Sequence, residues 1–163
     1  VAGGIALHRS LYPEVERAGP ATGPVRAVVG TALPGLRFTD RAGAERSLQE
    51  LGSRLLVNVW ATWCPPCRVE VPDLQSAARR HPHLTIVGLA LDRPDAVWRF
   101  VDELGVDYPV LIHSDEAGIV HAAFRNTSEH LPYSVLAVDG TIVAAHLGAL
   151  SPDDLDVWAA ASR

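Results

Sequence analysis

The chain has 163 residues, of which 48% are hydrophobic and 20% charged, and its formal net charge is −5. One domain of roughly 100–200 residues is the natural count, and this composition excludes a disordered chain, a collagen-like repeat and a small disulfide scaffold. The acidic balance argues against a nucleic-acid binder that neutralises phosphates, and all 14 cationic Lys/Arg positions are Arg, which excludes lysine-nucleophile and Schiff-base chemistry.

The chain opens Val1-Ala2-Gly3-Gly4-Ile5-Ala6-Leu7 and then His8-Arg9, with no Met anywhere. Such an apolar run is too short to span a bilayer, which needs about 20 residues. It reads as the end of a removed signal or anchor segment, or as a boundary of the expressed chain. Residues 1–30 form a lead-in broken by Gly19, Pro20, Gly23 and Pro24, and residues 31–163 form the domain.

From Leu36 to Thr39 the residues alternate as in a half-buried strand. Asp40 to Gly43 is a turn, and Glu45 to Leu51 reads as a short helix with Leu48 and Leu51 inward. Leu55 to Trp60 is a dense apolar, β-branched run, the pattern of a central strand buried on both faces. Pro66 to Arg80 has helical spacing, with an internal Pro72 expected to kink it. Leu84 to Leu91 is a second central strand. Asp92 and Pro94 open a helix carrying Val97, Phe100, Val101 and Leu104 on one face, and Gly105 stops it. Val110 to Ile112 is a short strand and Ala117 to Phe124 a short helix. Ser134 to Val138 and Thr141 to His146 flank an Asp139-Gly140 hairpin turn. Ser151, Pro152, Asp153 and Asp154 announce a last helix. Trp98 and Trp158 fall on apolar helix faces, and most of the seven His are expected at the surface. The order of elements makes an α/β sandwich around a mixed sheet.

The chemistry lies in Trp60-Ala61-Thr62-Trp63-Cys64-Pro65-Pro66-Cys67, where a buried strand meets a helix. Two Cys at this spacing on a first helical turn can bridge. The first sits where unpaired N–H groups and the helix dipole stabilise a thiolate, exposed to attack a disulfide. The second, further inside, can attack the resulting mixed disulfide. Pro65 and Pro66 stiffen the ring and remove two backbone donors.

This run resembles the active site of the thioredoxin superfamily, and in detail its TlpA/ResA/DsbE-like, membrane-associated branch. Val57 to Cys64, Glu70-Val71-Pro72, Gly105 to Val110 and Leu131-Pro132-Tyr133-Ser134 carry the resemblance, which runs from about Leu33 to the C-terminus. It implies a thioredoxin-like fold: a central mixed sheet flanked by helices, with an inserted helix and an N-terminal strand extension. It implies that Cys64 is the nucleophile, Cys67 the resolving thiol and Pro132 a cis-proline facing them. Leu131 would pair with an extended substrate through its backbone, while Trp63 and Tyr133 would line the groove beside Pro65 and Pro66. Glu70 would be the acidic residue that this branch keeps near the site, a carboxylate placed to exchange a proton. Ordinary thioredoxins carry a buried acid six residues before the first Cys, where this chain has Asn58, which cannot titrate.

The implied activity is extracytoplasmic or periplasmic thiol–disulfide exchange with no cofactor beyond the Cys64–Cys67 pair. The partners would be proteins with disulfides or thiols, such as apocytochrome c or the copper-site cysteines of oxidases, and a membrane thiol-transfer reductase, with no nucleic acid. Alternatives stand beside it. The same site could insert disulfides as an oxidant. Cys64, Cys67 and a His could hold copper, or the pair could be half of a zinc site with His81 and His83. Glu70 could be a solvated helix residue, and Arg68 either a groove cation or solvated.

Overall fold

The computed structural model describes residues 28–113 and 117–162, so the lead-in before Val28 lies outside the described residues. Among the described residues, seven strands form one sheet: β1 (Arg37–Thr39), β2 (Glu45–Ser47), β3 (Arg54–Trp60), β4 (Thr85–Ala90), β5 (Val110–Ile112), β6 (Tyr133–Val138) and β7 (Thr141–Leu147). The helices are α1 (Pro65–Arg80), α2 (Pro94–Leu104), α3 (Ala117–Ala123) and α4 (Pro152–Ala161). The spatial order is β2-β1-β5-β4-β3-β6-β7. β3, β4 and β5 run parallel, and β6 lies antiparallel to β3 and β7. This is the mixed sheet that the resemblance implies, with the N-terminal extension as two short strands on one edge.

The dense apolar runs explain the centre. β3 is buried from Leu55 onward and β4 from Ile86 onward, because helices cover both faces. Leu56, Trp60, Leu74, Phe100, Leu136 and Trp158 fill the layer under α1, α2 and α4. Val28, Leu48, Val57, Val59, Phe124 and Tyr133 fill the opposite layer, with α3. Alternation along β3 sorts these side chains: even-numbered residues face α1 and odd-numbered ones the other layer.

Local signals place the helix ends. Cys64 is the N-cap of α1, with Pro65 and Pro66 in the first turn, and the helix continues through Pro72. Gly105 closes α2 in the left-handed region at φ 60°, a conformation that costs glycine little. Ser151 caps α4 by accepting from the Asp154 N–H, and Asp154 reaches back to the Ser151 N–H.

One segment differs from the expectation. Glu45 to Leu51 is not a helix: Glu45–Ser47 pairs with β1, and only Leu48–Leu51 turns, as a single 3-10 turn with Leu48 buried. The Asp40 carboxylate accepts from the N–H groups of Ala42 and Ala44 and folds the chain back into this hairpin. A three-residue edge strand has too few positions to display its period. Trp158 is buried as expected, and Trp98 is half-buried under the guanidinium of Arg41. His121, by contrast, lies in the interior.

Candidate active site

β3 delivers the chain to the site. After Trp60, residues 61–63 turn and Cys64 begins α1. Thr62 donates to Asp92 Oδ2 through both its backbone N–H and its hydroxyl, tying this turn to the end of β4. Cys64 and Cys67 form a disulfide with Cα atoms 5.3 Å apart, and the Cys67 N–H donates to Cys64 Sγ at 3.4 Å.

The expected exposure of Cys64 is corrected here: both residues are buried, Cys64 at 3% and Cys67 at 1%. The strand-to-helix turn draws Cys64 into the layer between β3 and α1. What reaches solvent is its apolar surround, with Trp63 69% exposed, Val69 75% exposed and Pro65 and Pro66 also exposed. Arg68 lies over the Phe100 ring at 4.9 Å and pairs with Glu103 at 2.8 Å, so it is an anchored surface cation.

The Leu131–Pro132 peptide is cis, as the resemblance implies. The register Val59↔Tyr133 sets Pro132 beside the Trp60 end of β3, next to the turn that leads to Cys64. The Pro132 carbonyl accepts from the Gly148 N–H at 2.8 Å, and Leu131 is half-buried. Tyr133 is the second correction: its side chain is buried among Phe124 and His121 and lines no open groove. It follows Pro132 in a strand, so alternation sends it into the opposite layer.

Glu70 is not a solvated helix residue. It is 2% exposed, one turn beyond Cys67 on the inner face of α1. Asn58 Nδ2 donates to Glu70 Oε1 at 2.7 Å and to Ser134 Oγ at 3.0 Å, while the Leu150 N–H donates to Glu70 Oε2 at 3.2 Å. Burial pushes the Glu70 carboxyl up to about 7, against the two hydrogen bonds, which favour the charged form; the nearby Asp73 adds a small upward push. A carboxyl held there exchanges protons near neutral pH. The negative charge of Glu70 in turn adds to burial in raising the buried Tyr108 phenol.

Sequence reasoning singled out Asn58 for its position but missed its partners. Ser134, Leu150 and Asp92 act from other elements, and no local spacing signals such contacts. Among the described residues, no group of three or more His, Cys, Asp or Glu is placed to hold a metal ion, so the zinc and copper alternatives find no assembled third ligand there.

The pattern of one protein family matches residues 29–146, most of the described chain, and carries the description AhpC/TSA family. The chain belongs to the AhpC/TSA family. The thioredoxin-like protein YneN of Bacillus subtilis is 29% identical over 133 residues, covering 78% of this chain and 76% of YneN. The thiol-disulfide oxidoreductase ResA of Oceanobacillus iheyensis is 32% identical over 137 residues, covering 78% of this chain and 69% of ResA. Against some other ResA proteins the match spans about half of their length. A secreted Mycobacterium tuberculosis disulfide oxidoreductase, described as homologous to E. coli DsbE, superposes with a TM-score of 0.64 at 28% identity, covering 78% of this chain and 96% of that one. This AhpC/TSA member has a thioredoxin-like fold and is a thiol–disulfide oxidoreductase, with its Cys pair at the start of α1.

Proposed function

We propose that the protein reduces disulfides in other proteins outside the cytoplasm, recharged by a membrane thiol-transfer reductase. The observation that carries the reading is the Cys64–Cys67 pair at the start of α1 near the cis Leu131–Pro132 peptide, with the buried Glu70 carboxyl one turn from Cys67. Cys67 must lose its proton when the dithiol reduces a substrate and regain it in the reverse step, and Glu70 supplies a group for that exchange where Asn58 cannot.

The reduced Cys64 thiolate attacks one sulfur of a substrate disulfide held in extended form along the Leu131 backbone, against Pro132 and the exposed Trp63. That S–S bond breaks, a mixed disulfide forms, and the first substrate thiolate leaves. Cys67, its proton passed to Glu70, attacks Cys64 Sγ and expels the second thiolate. Two electrons pass from the dithiol to the substrate, and the Cys64–Cys67 disulfide remains. The substrate class is cysteine pairs of apocytochrome c or of oxidase copper sites. The similarity to a secreted disulfide oxidoreductase supports the location. No helix of the described residues is long and apolar enough to cross a membrane.

The equilibrium reduction potential tests the direction, read from the fluorescence of Trp60 and Trp63 in a glutathione buffer. A value near or below that of thioredoxin, about −270 mV, supports a reductant; a value near that of DsbA, about −120 mV, makes it an oxidant. In the same series, Cys64→Ser abolishes turnover and Cys67→Ser accumulates mixed disulfides.

A further inference from the structure

We infer that Asn126 is a positioning residue for substrate, holding in place the loop that ends in the Leu131–Pro132 edge. The inference rests on the reading that an extended substrate pairs along Leu131.

Between α3 and β6 the chain makes an exposed excursion, with Thr127, Glu129 and His130 in solvent. Arg125 and Glu129 adopt positive φ values of 54° and 53°, so the path is irregular. At its centre Asn126 is wholly buried. Its side chain spans the loop: Nδ2 donates to the His130 carbonyl at 3.0 Å, and Oδ1 accepts from Ser128 Oγ at 2.9 Å. The second Nδ2 hydrogen meets His121 Nδ1 at 3.3 Å on the buried face of α3. Backbone bonds add to the anchor, since the Asn126 N–H donates to the His121 carbonyl and the Glu129 N–H to the Asn126 carbonyl.

Both amide atoms are thus satisfied, in a layer otherwise built from Phe124, Tyr133 and aliphatic side chains. An apolar residue would fill this volume but could not fix where His130 lies. A fully satisfied buried polar network specifies one geometry at the cost of desolvation. The group it fixes, the His130 carbonyl, immediately precedes Leu131. The burial that pushes His121 down keeps its ring neutral and Nδ1 free to accept, although Glu129 opposes this slightly. The Tyr133 ring packs 5.9 Å from the imidazole and closes the other side.

The test compares two disulfides with one leaving group. A chromophoric aromatic thiol is joined either to free cysteine or to the single cysteine of a synthetic decapeptide. Attack by reduced protein releases the same colour from both, and the ratio of the two rate constants reads the contribution of the peptide backbone. In the wild type the peptide reacts faster. In Asn126→Ala that ratio falls about fivefold to tenfold, the effect of one to two net hydrogen bonds. The free-cysteine rate and the reduction potential stay within twofold and within error of the wild type. Ser128→Ala, a half-buried change that removes only the hydroxyl, lowers the ratio about twofold to threefold and covers the case in which Asn126→Ala fails to fold. An unchanged ratio in the folded variants, or an equal fall with both disulfides, overturns the inference. A wild-type ratio near one instead overturns the Leu131 pairing beneath it, and a wild type inert to both overturns the proposed chemistry.

Discussion

Asn58 donates to Glu70 across the junction of β3 and α1, at 2.7 Å, with both side chains buried. The position where ordinary thioredoxins keep an acid therefore supplies a donor here, and the acid sits on the helix instead. Asn58 divides its two amide hydrogens between Glu70 and Ser134, so its orientation is fixed from two strands and a helix. With the Leu150 N–H on the other oxygen, the Glu70 carboxyl has a donor at each oxygen and almost no water. Burial favours the neutral acid and the donors favour the carboxylate. On the reading proposed above, that balance near neutrality suits the group to exchange the Cys67 proton.

The first prediction concerns stability against pH in the oxidised protein. The Glu70 carboxyl titrates near its ordinary 4.5 when unfolded and at about 7 when folded. Between those values the folded state binds more protons, so this contribution is complete below about 4.5 and is lost as pH rises through about 7. The full span corresponds to about 3 kcal/mol. Glu70→Gln should lose this component, flattening the slope between about pH 5 and about pH 8 relative to the wild type. Urea midpoints of both proteins across that range decide it, and parallel slopes would rule out Glu70 as the group responsible.

Asn58→Leu keeps the branched shape but removes the donor. Because that hydrogen bond lowers the Glu70 carboxyl, its loss should move the titration above about 7. Carboxyl carbon NMR of Glu70 follows this directly. A titration that stays put or moves down would mean that Asn58 does not stabilise the charged form.

Much of this architecture is legible in the amino-acid sequence. The β3 and β4 runs and the Ser151 cap each carry a strong local signal, and the Cys64–Cys67 pair announces its own chemistry. Glu70 is legible as a candidate by its place after Cys67. Its burial is not, because it depends on the docking of α1 on the sheet and on Leu150, 80 residues away. Glu45–Ser47 misleads because Leu48 and Leu51 share a helical spacing, while its pairing with β1 is a tertiary fact. Tyr133 misleads differently: the resemblance implies that it lines the groove, but strand alternation decides which layer a side chain enters. The contacts of Asn126 with Ser128 and His130 are close in sequence yet follow no repeating pattern.

Thr62→Val tests the tether of the active-site turn. The hydroxyl donates to an Asp92 carboxylate oxygen that also accepts from the Thr62 N–H. Val is close in shape and removes only the hydroxyl bond. A hydrogen bond to a charged group contributes about 1.5–3 kcal/mol, and the remaining N–H contact and solvent at half-buried Asp92 favour the lower end. The urea midpoint of the oxidised protein should fall accordingly; no fall would leave the tether without a role in stability.

Gly88→Ala probes the packing beneath Trp60. Gly88 lies opposite Asn58 in the central strand β4, on the face that carries Trp60. A Cβ added there would meet Trp60 Nε1 at 2.7 Å, Tyr108 Cε2 at 3.2 Å and Val110 Cγ2 at 3.5 Å. The indole cannot swing away freely, since its ring packs on Phe100 at a ring separation of 4.6 Å. The backbone of β4 cannot retreat either, because it is hydrogen-bonded to β3 and β5. Overpacking of this kind costs about 1–3 kcal/mol. Trp60 also leads directly into the turn before Cys64, so the strain should be visible as a changed tryptophan emission in the oxidised protein. The expected outcome is a lower urea midpoint together with that spectral change. An unaltered midpoint and spectrum would show that the Trp60 layer has slack where the geometry indicates none.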